Sequence, residues 1–347
     1  MEISKKLEIP NFDESLYTEK NIKDCTHGEK VCIYGTLKIT HKKTSNGAPY
    51  YVLSISDITG YINYIAWNGT PLFLALSESD NGKTVKAYGT IDIGKYRNID
   101  IEQLCFVTET EEEILEKQSM SKSLTISNLR KELNNSVERI ISPFLKEIVT
   151  EALNLVDEKL DNTPFSEKTA YNYKGGLIHQ IIDICDMVNK VTESINFSFN
   201  SSSTVLNEDL LLTGAILANL GKTKTLTIEN NIPVKTFEGM LDEDSVFSRE
   251  IAYEAIRIVL DKLPEEEKES YEKIIKELLH MISSVKGNAT FGASSTPRSK
   301  HALILSQINN LIYTKGLFEN LEKSQTGEEF TKAYDNGKNY YLGSTSE

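Results

Sequence analysis

The stretch Lys30-Val31-Cys32-Ile33-Tyr34-Gly35-Thr36-Leu37-Lys38-Ile39 sets the reading of the whole N-terminal third. Val31, Ile33, Leu37 and Ile39 alternate with Cys32, Tyr34, Thr36 and Lys38, a period of two that places the apolar set on one side of an extended strand. Beyond it, His41–Gly47 reads as a polar loop and Tyr50–Asp57 as a second strand. Thr59-Gly60 turns the chain into a third strand over Tyr61–Asn68. Thr70 can cap a helix, with Pro71 at its first position, running to about Ser79. After the turn Asn81-Gly82, Lys83–Asp92 and Asn98–Val107 supply two more strands around the loop Gly94-Lys95-Tyr96-Arg97. Three strands, a helix and two strands is the order of an OB-fold barrel. An SH3-like barrel is the rival, and the helix between the third and fourth strands favours the OB order.

The pattern then changes to helices. An acidic run, Glu109, Glu111, Glu112, Glu113 and Glu116, reads as a solvated linker or helix start. Ser127 is placed to cap a helix to about Ile141, and Ser142-Pro143 restarts one that Asn162-Thr163-Pro164 ends after about Leu160. Leu177, Ile178, Ile181, Ile182, Cys185, Val188 and Val191 recur at helical spacing within 165–195. Leu210–Leu220 is almost wholly apolar, as a buried helix would be, and further helices are expected over Ser248–Leu263, Glu265–Val285 and His301–Leu321. The fold class is therefore α+β: an N-terminal five-stranded OB-fold β-barrel followed by an all-α domain. The expected boundaries are an arm over 1–22, the barrel over 23–108, a helical connector over 109–164, the helical domain over 165–340 and a tail over 341–347.

Composition narrows the function classes. The chain has 347 residues, 38 Lys and Arg against 51 Asp and Glu, and a formal net charge of −13. A whole-surface nucleic-acid binder is excluded, because counterion release needs clustered cations; any such contact must come from a local patch. No apolar stretch is long enough to span a membrane, and Met1–Lys6 is not followed by the apolar core of a secretory signal, so the cytoplasm is the expected location. Cys25, Cys32, Cys105 and Cys185 are widely spaced, against a thiolate zinc site or a disulfide framework.

Such a patch can be read from the barrel. OB-folds bind oligonucleotides on the face of their second and third strands, between the loops joining strands one to two and four to five. His41, Lys42 and Lys43 belong to the first loop, and Lys95, Tyr96 and Arg97 to the second. Lys38, Tyr34, Tyr50, Tyr64 and Trp67 lie on strands between them. Cations follow phosphates, and exposed rings stack on bases. Strand alternation sends about half of these rings into the barrel, and parity leaves Trp67 open between the binding face and the core. Over 23–107 the barrel is near neutral, with nine Lys and Arg against eight Asp and Glu.

Four segments of the helical half carry a family resemblance: Tyr173-Lys174-Gly175-Gly176-Leu177, Gly214-Ala215-Ile216-Leu217-Ala218-Asn219-Leu220-Gly221-Lys222, His280–Gly287, and Thr326-Gly327-Glu328-Glu329-Phe330-Thr331. In order and spacing they resemble the YhaM-type 3′–5′ exoribonucleases, which join an OB-fold to an HD-superfamily phosphohydrolase domain. The resemblance implies a divalent metal, Mn or Mg, held by imidazoles and carboxylates that activate water. The positions it assigns to those ligands here carry Gln180, Ala218, Asn219, Val285, Lys286 and Asn309, with Ala170-Tyr171 upstream and Glu243 as a lone carboxylate. His179 stands one residue early, rotated by about 100° on a helix. His280 and His301 fall on no ligand position, and Asp183 and Asp186 read as exposed charge. Gly221 suits a helix C-terminal cap and Lys222 the helix dipole.

The resulting expectation is a single-stranded nucleic-acid-binding protein, on RNA or DNA, with a degenerate helical domain that holds no metal and no cofactor and supplies no catalytic residue. The alternatives are an active metal-dependent 3′–5′ exonuclease with an altered site, and a non-catalytic assembly subunit that forms a homo-oligomer or meets a partner protein through the helical domain.

Overall fold

The computed structural model describes residues 12–57, 60–94, 97–107, 125–229 except 198–204, 232–324, 330–332 and 338–343. The chain divides into two compact units, one of residues 1–122 with 229–232 and 318–347, the other of 123–228 and 233–317.

In the first unit a short strand β1 (Thr18–Glu19) runs parallel to β2 (Lys30–Lys43). Then come β3 (Pro49–Asp57), β4 (Gly60–Trp67), the helix α1 (Pro71–Ala75), β5 (Thr84–Ile93) and β6 (Arg97–Phe106). The sheet order is β1-β2-β3-β4-β6-β5, and β2 also pairs with β5, which closes five strands into a barrel. β4 and β6 meet in parallel at Asn63 and Asn98, and the other barrel pairs are antiparallel. This is the OB order. Closure depends on β2, whose first half pairs with β5 and whose second half pairs with β3, the exchange falling at Thr36. Gly35 stands at that exchange, where a Cβ would meet the Ser56 carbonyl oxygen at 2.7 Å. Val31, Ile33, Leu37, Ile39, Leu53, Ile55, Ile62, Val85, Ile91 and Ile99 fill the interior.

Three expectations change in this unit. The described part of the arm packs on the barrel: Ile22 is fully buried in the barrel core, and Phe12 and Tyr17 pack with Tyr88 over Cys32 and Cys105. The segment His41–Lys43 is strand rather than loop, paired with Tyr51, Tyr50 and Pro49, because the turn is confined to 44–48, where the Thr44 amide donates to the Ala48 carbonyl. The helix opened by Pro71 stops at Ala75, and a separate turn of 3-10 helix spans Glu78–Asp80.

The second unit is helical: α2 (Ile126–Glu138), α3 (Pro143–Leu160), α4 (Gly176–Phe197), α5 (Glu208–Leu217), α6 (Lys222–Thr225), α7 (Phe237–Leu241), α8 (Asp244–Asp261), α9 (Glu265–Ser284) and α10 (Lys300–Ser324, whose end from 318 falls in the first unit). Two short hairpins, β7 (Leu226–Glu229) with β8 (Ile232–Lys235) and β9 (Phe330–Lys332) with β10 (Asn339–Tyr341), went unread in the sequence. Thr125, not Ser127, caps α2, accepting from the Asn128 amide, while Ser142 caps α3 ahead of Pro143. The two helices expected as a connector are part of the domain. Leu129, Leu133, Ile148, Val149 and Ala152 share one core with Ile178, Ile181, Leu211, Ile216, Ala255, Met281 and Leu305. Their apolar stripes need a partner to leave water, and the later helices supply it. Among the described residues no helix is long and apolar enough to cross a membrane.

Candidate functional site

On the barrel, register decides which side chains share a surface. Residues paired across antiparallel strands project to the same face. Leu53 and Ile55 of β3 and Ile62 and Ala66 of β4 point inward, so Tyr50, Val52, Ser54, Asn63, Ile65 and Trp67 point outward. The register aligns Lys42, Tyr50 and Trp67 in one row, Thr40, Val52 and Ile65 in the next, and Lys38, Ser54 and Asn63 in a third. Tyr50 and Trp67 form an aromatic pair, ring centroids 5.1 Å apart, and Trp67 remains 51% exposed. Among the described residues no carboxylate pairs with Lys38, Lys42 or Lys43. A tilted aromatic platform bordered by uncompensated ammonium groups can stack bases and neutralise phosphates together.

The remaining candidates are placed elsewhere. Tyr64 points inward and packs on the barrel core, where burial raises its phenol pKa. Tyr34 lies on the part of β2 that pairs with β5, packed against the Cys32–Tyr88–Cys105 cluster with the Lys86 ammonium over its ring. His41 packs at a tilt against Tyr51 (4.3 Å), which stacks on Phe73 (4.3 Å), and lies 3.5 Å from Glu78. Arg97 is spent on structure: its guanidinium donates to the Ile22 carbonyl at 2.6 Å and holds the arm on the barrel. Lys95 and Tyr96 fall outside the described residues. Ile65 and Val52, absent from the sequence reading, extend the platform; only the strand register reveals them.

In the helical unit, three positions assigned to metal ligands by resemblance come together. Gln180 of α4, Asn219 just after α5 and Asn309 of α10 are 0%, 2% and 5% exposed. The Asn219 amide donates to Asn309 Oδ1 (3.1 Å) and to Gln180 Oε1 (3.4 Å), and Gln180 donates to Asn309 Oδ1 (3.4 Å). Three carboxamides thus bond to one another in a buried interior. Ala218 and Val285 are buried apolar residues with no donor atom to offer. Among the described residues, no three His, Cys, Asp or Glu side chains gather as a metal site. Neutral amide oxygens are weak ligands for a divalent cation, so this donor set does not fit the metal that the resemblance implies.

Lys286 and Glu243 belong to a second cluster. The Lys286 ammonium pairs with Asp244 and, at 3.1 Å, with exposed Glu243; Lys222 reaches Asp244 at 3.1 Å and lies 4.4 Å from the Phe165 ring centroid. Burial works to raise the Asp244 pKa, yet the two ammonium groups override it and hold the carboxyl below its ordinary value. Burial pulls Lys222 below the ordinary lysine value, with Asp244 opposing. Gly221 is accordingly no left-handed cap: its backbone is helical, and a Cβ there would lie 2.0 Å from the Asp244 carbonyl oxygen. The glycine lets the α8 N-terminus approach, and Lys222 serves that junction.

His179 takes a hydrogen bond with the Tyr173 hydroxyl (2.5 Å). Asp183 is no free surface charge, since Tyr171 (2.6 Å) and Lys315 (2.7 Å) both donate to it. Tyr171 holds a positive φ of 50°, fixed by that bond and by its carbonyl accepting from Phe165. Asp186 pairs with Arg139 at 3.2 Å. His301 is buried between the Asn207 amide (3.0 Å) and Glu277 (2.9 Å), a structural role.

No family model matches the chain. A domain of replication protein A from Methanococcus maripaludis aligns with 27% of this chain and 99% of its own length, at 19% identity and a TM-score of 0.22. The OB assignment rests on the strand order above and not on that likeness. Over 320 residues, 88% of this chain and 90% of the relative, the sequence is 26% identical to the 3′-5′ exoribonuclease YhaM of Geobacillus sp. (strain WCH70). The resemblance read from four segments therefore extends along nearly the whole chain: it is similar to YhaM-type exoribonucleases, with an OB barrel ahead of a helical region.

Proposed function

We propose that the protein binds single-stranded nucleic acid on the outer face of β3 and β4 and that its helical unit is not a metal-dependent nuclease. The observation that carries the binding reading is the Lys42–Tyr50–Trp67 row, an exposed ring pair beside a cation that pairs with no carboxylate among the described residues. The exoribonuclease relative supports nucleic acid as the ligand class. Two features support the loss of chemistry. Gln180, Asn219 and Asn309 are neutral amides hydrogen-bonded to one another, and Lys286 is held by Asp244 and Glu243. A metal hydrolase needs anionic or imidazole ligands and an open position for water.

Within this reading the helical unit serves as a scaffold, and the cytoplasm is the proposed location. The test combines binding and cleavage: fluorescently labelled single-stranded RNA and DNA are titrated with the protein in Mn²⁺ or Mg²⁺, and the same samples are run on a denaturing gel. Salt-sensitive binding with intact strands is expected. A ladder growing from the 3′ end, with near-stoichiometric manganese in the protein, would establish the exonuclease instead.

A further inference from the structure

A groove of about 470 Å³ in the helical unit is lined by Arg249, Lys276, His280, Ser283, Ser294 and Ser295. In a chain of net charge −13 this lining holds two permanent cations, an imidazole and three hydroxyls, and no carboxylate. Arg249 of α8 is anchored through Nη1 to the Leu279 carbonyl (3.1 Å) and the Ser283 hydroxyl (2.8 Å), which fixes the guanidinium and leaves Nε and Nη2 as donors. His280 Nε2 accepts the Arg298 amide proton at 2.9 Å, so the neutral ring carries its own proton on Nδ1. Ser295 is pinned by its amide donating to the Ser283 carbonyl (3.1 Å), while its hydroxyl is buried with no hydrogen-bond partner. A buried hydroxyl without a partner is costly unless something else completes it. Lys276 pairs with Glu272 one turn away, both well exposed, and such a pair is weak enough to yield to a competing anion.

Arg249, Lys276 and the His280 Nδ1–H thus offer only donors, the Ser295 hydroxyl can donate as well, and the Ser294 hydroxyl pairs with Ser245 (3.2 Å), so the matching ligand is an anion rich in acceptors. We propose that this groove binds a phosphate dianion, either free inorganic phosphate or the terminal phosphate of a mononucleotide. Helix capping alone does not account for the arrangement. Arg249 does meet a carbonyl of the last turns of α9, but Ser295 Oγ meets none, and the Lys276 ammonium pairs with a carboxylate. The groove's lining residues all belong to the helical unit.

The test uses the full chain. Inorganic phosphate, adenosine monophosphate and adenosine are titrated by calorimetry, with phosphorus NMR line broadening of the first two as a second readout. Phosphate is expected to bind at millimolar concentration and adenosine not at all. Tighter binding of the mononucleotide assigns the site to a nucleotide phosphate, and equal binding assigns it to the phosphate group alone. Arg249→Gln should weaken binding roughly tenfold, the usual effect of losing a charge-assisted hydrogen bond. Ser295→Ala should weaken it several-fold at an unchanged or raised melting temperature, which guards against a folding defect in the arginine variant. Trp67→Ala should leave phosphate binding intact, so that failure here and failure of the barrel reading are distinguishable. No binding at millimolar phosphate, unchanged affinity in Ser295→Ala, or loss of binding in Trp67→Ala would overturn the proposal.

Discussion

At the scale of single residues, side-chain direction separates function from structure. Trp67 is exposed beside Tyr50, so single strands should quench its fluorescence, and Trp67→Ala should cost about 1–3 kcal/mol of binding with little change in stability. Tyr64, three residues earlier, points the other way. Tyr64→Ala should cost about 1–3 kcal/mol of stability and leave the binding per folded molecule unchanged, as measured by urea unfolding beside the titration. Asp244 gives a pH prediction. Its native pKa lies below the unfolded value of about 3.9. Its stabilisation is therefore complete above that pH and drains away as pH falls through the native pKa. Asp244→Asn strands Lys222 and Lys286 without their shared counter-charge and should cost about 3–5 kcal/mol at neutral pH. The gap between wild type and variant should narrow in acid, which unfolding curves at a series of pH values would read; a gap that widened in acid would refute the assignment.

At the scale of elements, the second half of β2 carries the cations and β3 and β4 carry the platform. Replacing Lys38 and Lys42 together by Ala should flatten the salt dependence of single-strand binding by about 1.4 in the log–log slope, two phosphate contacts at about 0.7 each. Arg97→Ala should instead loosen the arm, since the Ile22 carbonyl loses its donor, and should appear in thermal melts before it appears in the salt slope. The amide cluster ties α4, the end of α5 and α10. Asn219→Ala removes two donated bonds and leaves the carboxamides of Gln180 and Asn309 short of a partner, at a cost of about 1–3 kcal/mol.

At the scale of the molecule, a helical unit held by carboxamides and lysine–carboxylate pairs should need no metal to fold. Prolonged chelation should leave its melting temperature unchanged, whereas a structural divalent ion would stabilise by mass action and be lost on dialysis. A fall in melting temperature on chelation, restored by manganese, would show that the donor set had been misjudged.

The sequence alone determined the element order. Period-two alternation from Val31 to Ile39, the Thr70-Pro71 helix start and the Ser142-Pro143 restart are local signals, and the strand count and most helices follow from them. Short elements such as α7 and β7–β8 escaped because a few residues carry too little periodicity to read. What only the tertiary structure decided is which residues meet. Strand parity at Trp67 depends on where β4 registers against β3, and β2 stays paired as far as Lys43 because β3 lies beside it. Gln180, Asn219 and Asn309 are up to 129 residues apart in sequence, and no local pattern reports that three carboxamides share one buried contact. Hydrogen bonds and burial act through space, so the composition of a site becomes legible only once packing has brought its members together.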